Sequence, residues 1–312
     1  MTWEYKGNTR TPGPLGTVLS GFGGRIPGPL RFGHEDVKGS ATKPAKTFPM
    51  PPPAGGSSTI IRARAVDWAL SKGSPVPEDV QQGELAVCPI AAIAAALAHT
   101  ARGKRRLDSM ITEYSGTTVK TTFSTEILDS LSSKTKDDPD YRPPQKEIVS
   151  KRYFSVTLDS KVEVSDVFYI KYTDGTDVNM VYMGSPKEAL WPCVIEKAFA
   201  TKIGSYEDLD DDTKHTVNEF WGILVGSKPQ VLLIDDETDV GKISTLAKAA
   251  PQTPTIGASK DDAKDVLFHH GFAVLGLKGS DIELYDPHGK RLTVSLATFR
   301  KNFQAIFSGM PR

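Results

Sequence analysis

Residues 82–98 read QGELAVCPIAAIAAALA. From Pro89 the run is apolar and rich in alanine, which predicts a helix from Pro89 to about Arg102. A proline suits the first helical turn, where a missing N–H costs nothing. Cys88 therefore stands at a helix N-terminus, where the aligned peptide dipoles supply about half a positive charge. That field favours thiolate over thiol and makes the sulfur nucleophilic near neutral pH. Read alone, Cys88 serves equally as a small buried apolar residue. The basic cluster Arg102, Lys104, Arg105 and Arg106 is expected at the other end of the macrodipole.

Working outward, Gln82 lies six residues before Cys88. Its amide can donate to a developing oxyanion together with the Cys88 backbone N–H. Far downstream, residues 268–289 read FHHGFAVLGLKGSDIELYDPHG. They predict two strands, with His270 at the start of the first and Asp286 at the end of the second. Such a ribbon can set a carboxylate beside an imidazole, fixing its tautomer and orientation. If the segment is extended, His269 points to the opposite face. His288 reads as a loop residue, and Cys193, within PKEALWPCVIEKAFATK (186–202), as a structural cysteine on a helix.

The rest of the chain bounds the class. It has 312 residues, 38 Lys+Arg against 38 Asp+Glu, and two cysteines. A neutral balance argues against bulk binding to nucleic acid or an anionic membrane. Two cysteines cannot form a disulfide framework. No apolar run approaches the roughly 18 residues of a membrane span, and MTWEYKGNTR lacks the features of a secretory signal. A cytoplasmic protein, or one exported without a signal peptide, is expected; its oligomeric state is left open.

Residues 1–58 hold nine of the 22 prolines and 11 of the 27 glycines. They show no apolar periodicity, so a disordered tail is expected there. Residues 60–72, IIRARAVDWALSK, read as a short helix. Strand signals follow at RYFSVTL, VFYIKY and VNMVYM, the last two joined through the turn TDGTD. Further strands are expected at QVLLID (230–235), PTIGAS, FAVLGLKG, DIELYDP and RLTVSL, and a helix over 241–249. Helix first and strands last predict an α+β chain of two lobes. The acidic runs at Asp208, Asp210, Asp211, Asp212 and at Asp235, Asp236, Glu237, Asp239 lack EF-hand spacing and read as solvated loops.

These segments resemble the calpain-type cysteine proteases of the papain-like superfamily. QGELAVCPIAAIAAALA is similar to the family's QGxLGDCWxLAALAALA, and LWPCVIEKAFATKIGSYEDL (190–209) to LWxALLEKAYAKxxGSYExL. HGFAVLG (270–276) resembles HAYSVLG, and YDPHG (285–289) resembles RNPWG. The matches keep the family order and cover roughly 60–312. Departures are Ala86-Val87 for Gly-Asp, Pro89 for an aromatic, Asp286 for Asn and His288 for Trp.

The resemblance implies a papain-like two-lobe peptidase. Residues 59–205 would form a helical lobe carrying Gln82 and Cys88, and residues 206–312 a β-rich lobe carrying His270 and Asp286. Trp191 and Tyr206 would be packing residues. The implied activity is cleavage of protein substrates by a Cys-His-Asp triad through an acyl-enzyme, in a microbial effector or a processing protease. The sequence itself requires no cofactor; the resemblance admits Ca²⁺. The alternatives are an inactive pseudo-protease acting as a binding module, and an amidase or acyltransferase using the same triad.

Overall fold

A computed structural model describes residues 60–65, 69–82, 87–115, 148–149, 152–165, 167–172, 177–179, 183, 189–204, 209 and 215–312. The tail expected over 1–58, residues 173–176 of the TDGTD turn, Tyr206 and the acidic residues 208 and 210–212 lie outside them. The described part is mixed α+β with largely antiparallel sheets.

The run of alanines becomes α1, Cys88–His99. All its residues from Cys88 to Ala98 are buried. A helix apolar all round belongs in the centre of a core. Small Cβ atoms there let neighbouring backbones approach closely. The helix stops at Thr100 rather than near Arg102. Thr100 is extended (φ −104°, ψ 148°), and its side chain accepts from the Gly103 N–H at 3.0 Å, capping a second helix, α2, Ala101–Met110. The basic cluster thus lies inside α2, not at the end of α1. Gly103 is required because a Cβ there would collide with the Leu97 carbonyl. Arg106 reaches the end of a later helix, donating to Leu224 O at 3.1 Å.

Three sheets are described, of which the six-stranded one packs on α1. The first includes β1 (Ile60–Ala65), β3 (Ile148–Val149), β6 (Val167–Tyr172) and β7 (Asp177–Asn179), in the order β3-β1-β6-β7. The helix expected over 60–72 is therefore corrected: Ile60–Ala65 is a strand, antiparallel to β6 and parallel to β3. Alternating Arg and Ala in IIRARA fits a period of two, and the cross-strand pairing selects it. The second sheet joins β2 (Ile111–Ser115), β4 (Arg152–Thr157) and β5 (Lys161–Ser165) in antiparallel register.

The third sheet positions the candidate site. It comprises β8 (Gln230–Leu233), β9 (Thr255–Ser259), β10 (Gly271–Lys278), β11 (Asp281–Asp286), β12 (Lys290–Ser295) and β13 (Phe303–Ser308). Their order is β12-β11-β10-β9-β13-β8, all pairs antiparallel. The strands expected from the sequence form here, joined by β13.

Besides a 3-10 turn at Pro77–Asp79, four more α-helices are described: α3 (Trp191–Ile203), α4 (Val217–Val225), α5 (Val240–Ala249) and α6 (Leu296–Asn302). The helix expected over 186–202 is thus α3, and that over 241–249 is α5. Helix α4 starts in a capping box, Thr216 and Glu219 each satisfying the other's backbone N–H, and ends at Gly226 in the left-handed conformation (φ 76°). One buried cluster joins α1, α3 and α4 to Ile256, Ala273, Tyr285 and Phe307 of the six-stranded sheet. A second, around Ile243, Phe272 and Phe303, lies under α5 and α6. Among the described residues no helix is long and apolar enough to cross a membrane.

Candidate active site

The sheet brings His270 and Asp286 together. His270 immediately precedes β10 and Asp286 ends β11, and the two strands pair in antiparallel register. His270 Nε2 lies 3.1 Å from Asp286 Oδ1, and both residues are buried. Burial alone would raise the Asp286 carboxyl, but hydrogen bonds from His270 and His288 and their charge hold it well below the usual carboxylate range. An ionised carboxylate only accepts, so Nε2 of His270 carries the proton. In the neutral imidazole Nδ1 is then the basic nitrogen. Burial lowers the His270 pKa, and the Asp286 carboxylate opposes it only in part. A lowered pKa favours the neutral ring, the form that can accept a proton.

His270 is held by its backbone as well as its ring. Its N–H donates to Ser259 Oγ at 2.8 Å, and its carbonyl accepts from the Ser259 N–H at 2.9 Å. His269 takes the left-handed conformation (φ 50°), and its ring turns to Asp261, 3.5 Å away. The structure thus brings His270, and not His269, to Asp286.

The turn after Asp286 is dictated locally. In DPHG, Pro287 fixes φ, and Gly289 takes φ 91° so that Lys290 can pair back with Asp286. The Asp286 side chain accepts the His288 backbone N–H at 2.9 Å, an Asx-type bond. That bond returns the His288 ring to the same carboxylate: Nδ1 lies 3.0 Å from Asp286 Oδ1. The two imidazoles stack, with centroids 4.9 Å apart and planes 26° apart. His288 is therefore more than the loop residue expected; the Asp-Pro-His turn was the signal that could have found it.

Cys88 begins α1, as the sequence predicts, and α1 packs directly on β10. A Cβ added at Gly271 would lie 3.2 Å from the Cys88 carbonyl oxygen and 3.3 Å from Ala92 Cβ. The start of α1 thus lies so close to the backbone following His270 that even a methyl group would be crowded between them. Cys88 is only 1% exposed.

Gln82 is buried, and its backbone N–H donates to the Pro287 carbonyl at 2.8 Å. Nearby, the Tyr285 hydroxyl donates to Val80 O at 2.7 Å. The segment before Cys88 is so tied to the turn that carries Asp286. Gln82, Cys88, His270 and Asp286 all lie on elements that meet here.

The remaining candidates lie apart from this cluster. Cys193 is buried in α3, with Sγ 3.0 Å from the Met183 carbonyl oxygen; burial first, and the Glu196 charge second, push its thiol far up. A raised thiol pKa disfavours thiolate, which suits the structural role expected. Trp191 is buried, as expected of a packing residue, and donates from Nε1 to the buried carboxylate of Asp79 at 3.0 Å. Asp79, which the sequence did not single out, also accepts the Val76 N–H at 3.0 Å. In the second acidic run, Asp235 accepts from Glu237 N and Thr238 Oγ1, and Asp239 caps α5. Those two carboxylates serve their own turns.

Neither a protein-family model nor a curated protein sequence matches the chain.

Proposed function

We propose that the protein is a cysteine peptidase with a papain-like two-lobe core, acting on protein substrates. One observation carries the reading. A buried His270–Asp286 pair, bonded through Nε2 so that Nδ1 is the basic nitrogen, lies at the adjoining ends of β10 and β11, and β10 packs against the helix that begins at Cys88.

The chemistry follows from the tautomer. His270 Nδ1 takes the Cys88 proton, and Asp286 stabilises the imidazolium that results. The thiolate attacks a peptide carbonyl carbon, forming the C–S bond and an oxyanion. The Cys88 N–H and the Gln82 amide donate to that oxyanion. His270 returns its proton to the leaving amine as the C–N bond breaks. Water, deprotonated by His270, then hydrolyses the thioester and regenerates the thiol. An amidase or acyltransferase would share the first half of this cycle and differ in the acceptor.

The burial of Cys88 favours a second reading, a binding module that keeps the scaffold without turnover. Intact-mass labelling with a thiol-reactive peptidyl inhibitor separates the two, run on wild type, Cys88→Ala and His270→Ala, with and without calcium. Labelling at Cys88 that slows about a hundredfold or more in His270→Ala supports the peptidase. Labelling only with calcium adds a metal switch. A Cys88 that reacts no faster than a free thiol throughout leaves the binding module as the better account.

A further inference from the structure

Two imidazole nitrogens converge on one carboxylate oxygen at this site. His270 Nε2 and His288 Nδ1 lie 3.1 and 3.0 Å from Asp286 Oδ1, and the three atoms lie within 4.8 Å of one another. We propose that His270, Asp286 and His288 form a binding site for a zinc-class divalent cation, which switches the Cys88–His270 pair off. The metal site stands on this geometry alone, whereas its inhibitory effect rests on the peptidase reading.

The donor set and spacing favour that class of ion. Two imidazoles and a carboxylate suit zinc and its neighbours, whereas calcium and magnesium prefer all-oxygen shells. In a tetrahedral site with bonds of about 2.0–2.2 Å, adjacent ligand atoms lie about 3.3–3.5 Å apart. Each imidazole nitrogen is already within a few tenths of an ångström of that spacing from the carboxylate oxygen. The two nitrogens must close on each other, and His288, whose side chain is 31% exposed, is the less buried of the two rings. The same exposure gives an ion its entry from solvent. The His288 backbone N–H on Asp286 Oδ1 supplies the outer hydrogen bond that such carboxylate ligands keep.

Occupancy would alter the proton, not only the charge. A metal on His270 Nε2 requires that nitrogen's lone pair, so the proton it now gives Asp286 must leave. In the neutral ring it moves to Nδ1, and His288 likewise carries its proton on Nε2. No proton is lost overall, but Nδ1 of His270 can no longer accept one from Cys88. The carboxylate that would stabilise an imidazolium is spent on the metal as well.

The test is zinc titration calorimetry and Co²⁺ absorption spectroscopy on the untagged full chain: wild type, Cys88→Ala, His288→Ala and His288→Asn. One equivalent should bind wild type and Cys88→Ala alike, with no thiolate-to-cobalt charge-transfer band. Affinity should fall about tenfold or more in both His288 variants. Zinc should slow alkylation of Cys88 in wild type, and leave the rate of the His288 variants, each against its own zinc-free control, unchanged. Undiminished binding in the His288 variants, loss of binding in Cys88→Ala, or no binding to wild type would each overturn the site. His288-dependent binding by a protein whose Cys88 reacts only as a free thiol would uphold the metal site while refuting the peptidase.

Discussion

Tyr285 donates its buried hydroxyl to the carbonyl of Val80, 205 residues away in sequence, at 2.7 Å. Burial, helped by nearby carboxylates, pushes the phenol pKa far up, so the hydroxyl remains a donor at every pH of interest. Tyr285→Phe leaves the Val80 carbonyl without that donor. The expected cost is about 1–3 kcal/mol in urea unfolding, with the m-value unchanged. An unchanged midpoint would show that water replaces the bond.

Asp286→Ala removes the acceptor that holds His270 in its tautomer. Cys88 alkylation near neutral pH should slow by about 10²–10⁴-fold. Asp286→Asn should retain more of the rate, because an amide oxygen still accepts from Nε2. Equal rates in wild type and Asp286→Ala would remove Asp286 from the proposed triad.

Gly271→Ala sets a methyl 3.2 Å from the Cys88 carbonyl and 3.3 Å from Ala92 Cβ. Both neighbours belong to a helix packed on every side, so β10 and α1 must separate. A stability loss of about 1–3 kcal/mol is expected, together with slower alkylation of Cys88. Lost stability at undiminished reactivity would show that the contact serves packing alone.

His99 donates from Nε2 to Leu275 O at 2.7 Å, yet burial outweighs that bond and lowers its pKa. His270 is lowered in the same sense. As pH falls below about 6.5 the unfolded chain gains protons that the folded one refuses. Stability should therefore decline from pH 7 towards pH 5, and the decline should be shallower in His99→Gln. The depressed Asp286 carboxylate contributes stability that is retained across this window and lost only at still lower pH. Urea midpoints at four pH values measure the slopes; equal slopes in the two proteins would exclude His99.

The legible parts of the sequence were those where one period dominates. The alanine run reads as a buried helix, and the apolar run FAVLGL and the alternating RLTVSL read as strands, which the structure joins through β11 in one sheet. At Ile60–Ala65 two periods compete: apolar residues at 61, 65 and 68 suit a helix, while the Arg/Ala alternation suits a strand, and only pairing with β6 decides. Helix α4 went unread although Thr216 and Glu219 carry a capping box. Gln82, Cys88, His270 and Asp286 were named from spacing and resemblance. The return of His288 to Asp286 depends on an Asx bond, a three-dimensional event that composition and periodicity do not encode.

The ties from Val80 to Tyr285 and from Gln82 to Pro287 also set an order of events during synthesis. The segment leading to Cys88 leaves the ribosome long before the strands that carry His270 and Asp286. Contacts of such sequence separation form late, since the intervening chain must first be closed into a loop. Until then the nascent polypeptide carries Cys88 without the packed strand that bears His270. On the peptidase reading proposed above, the chain would gain its reactivity only once folding is complete.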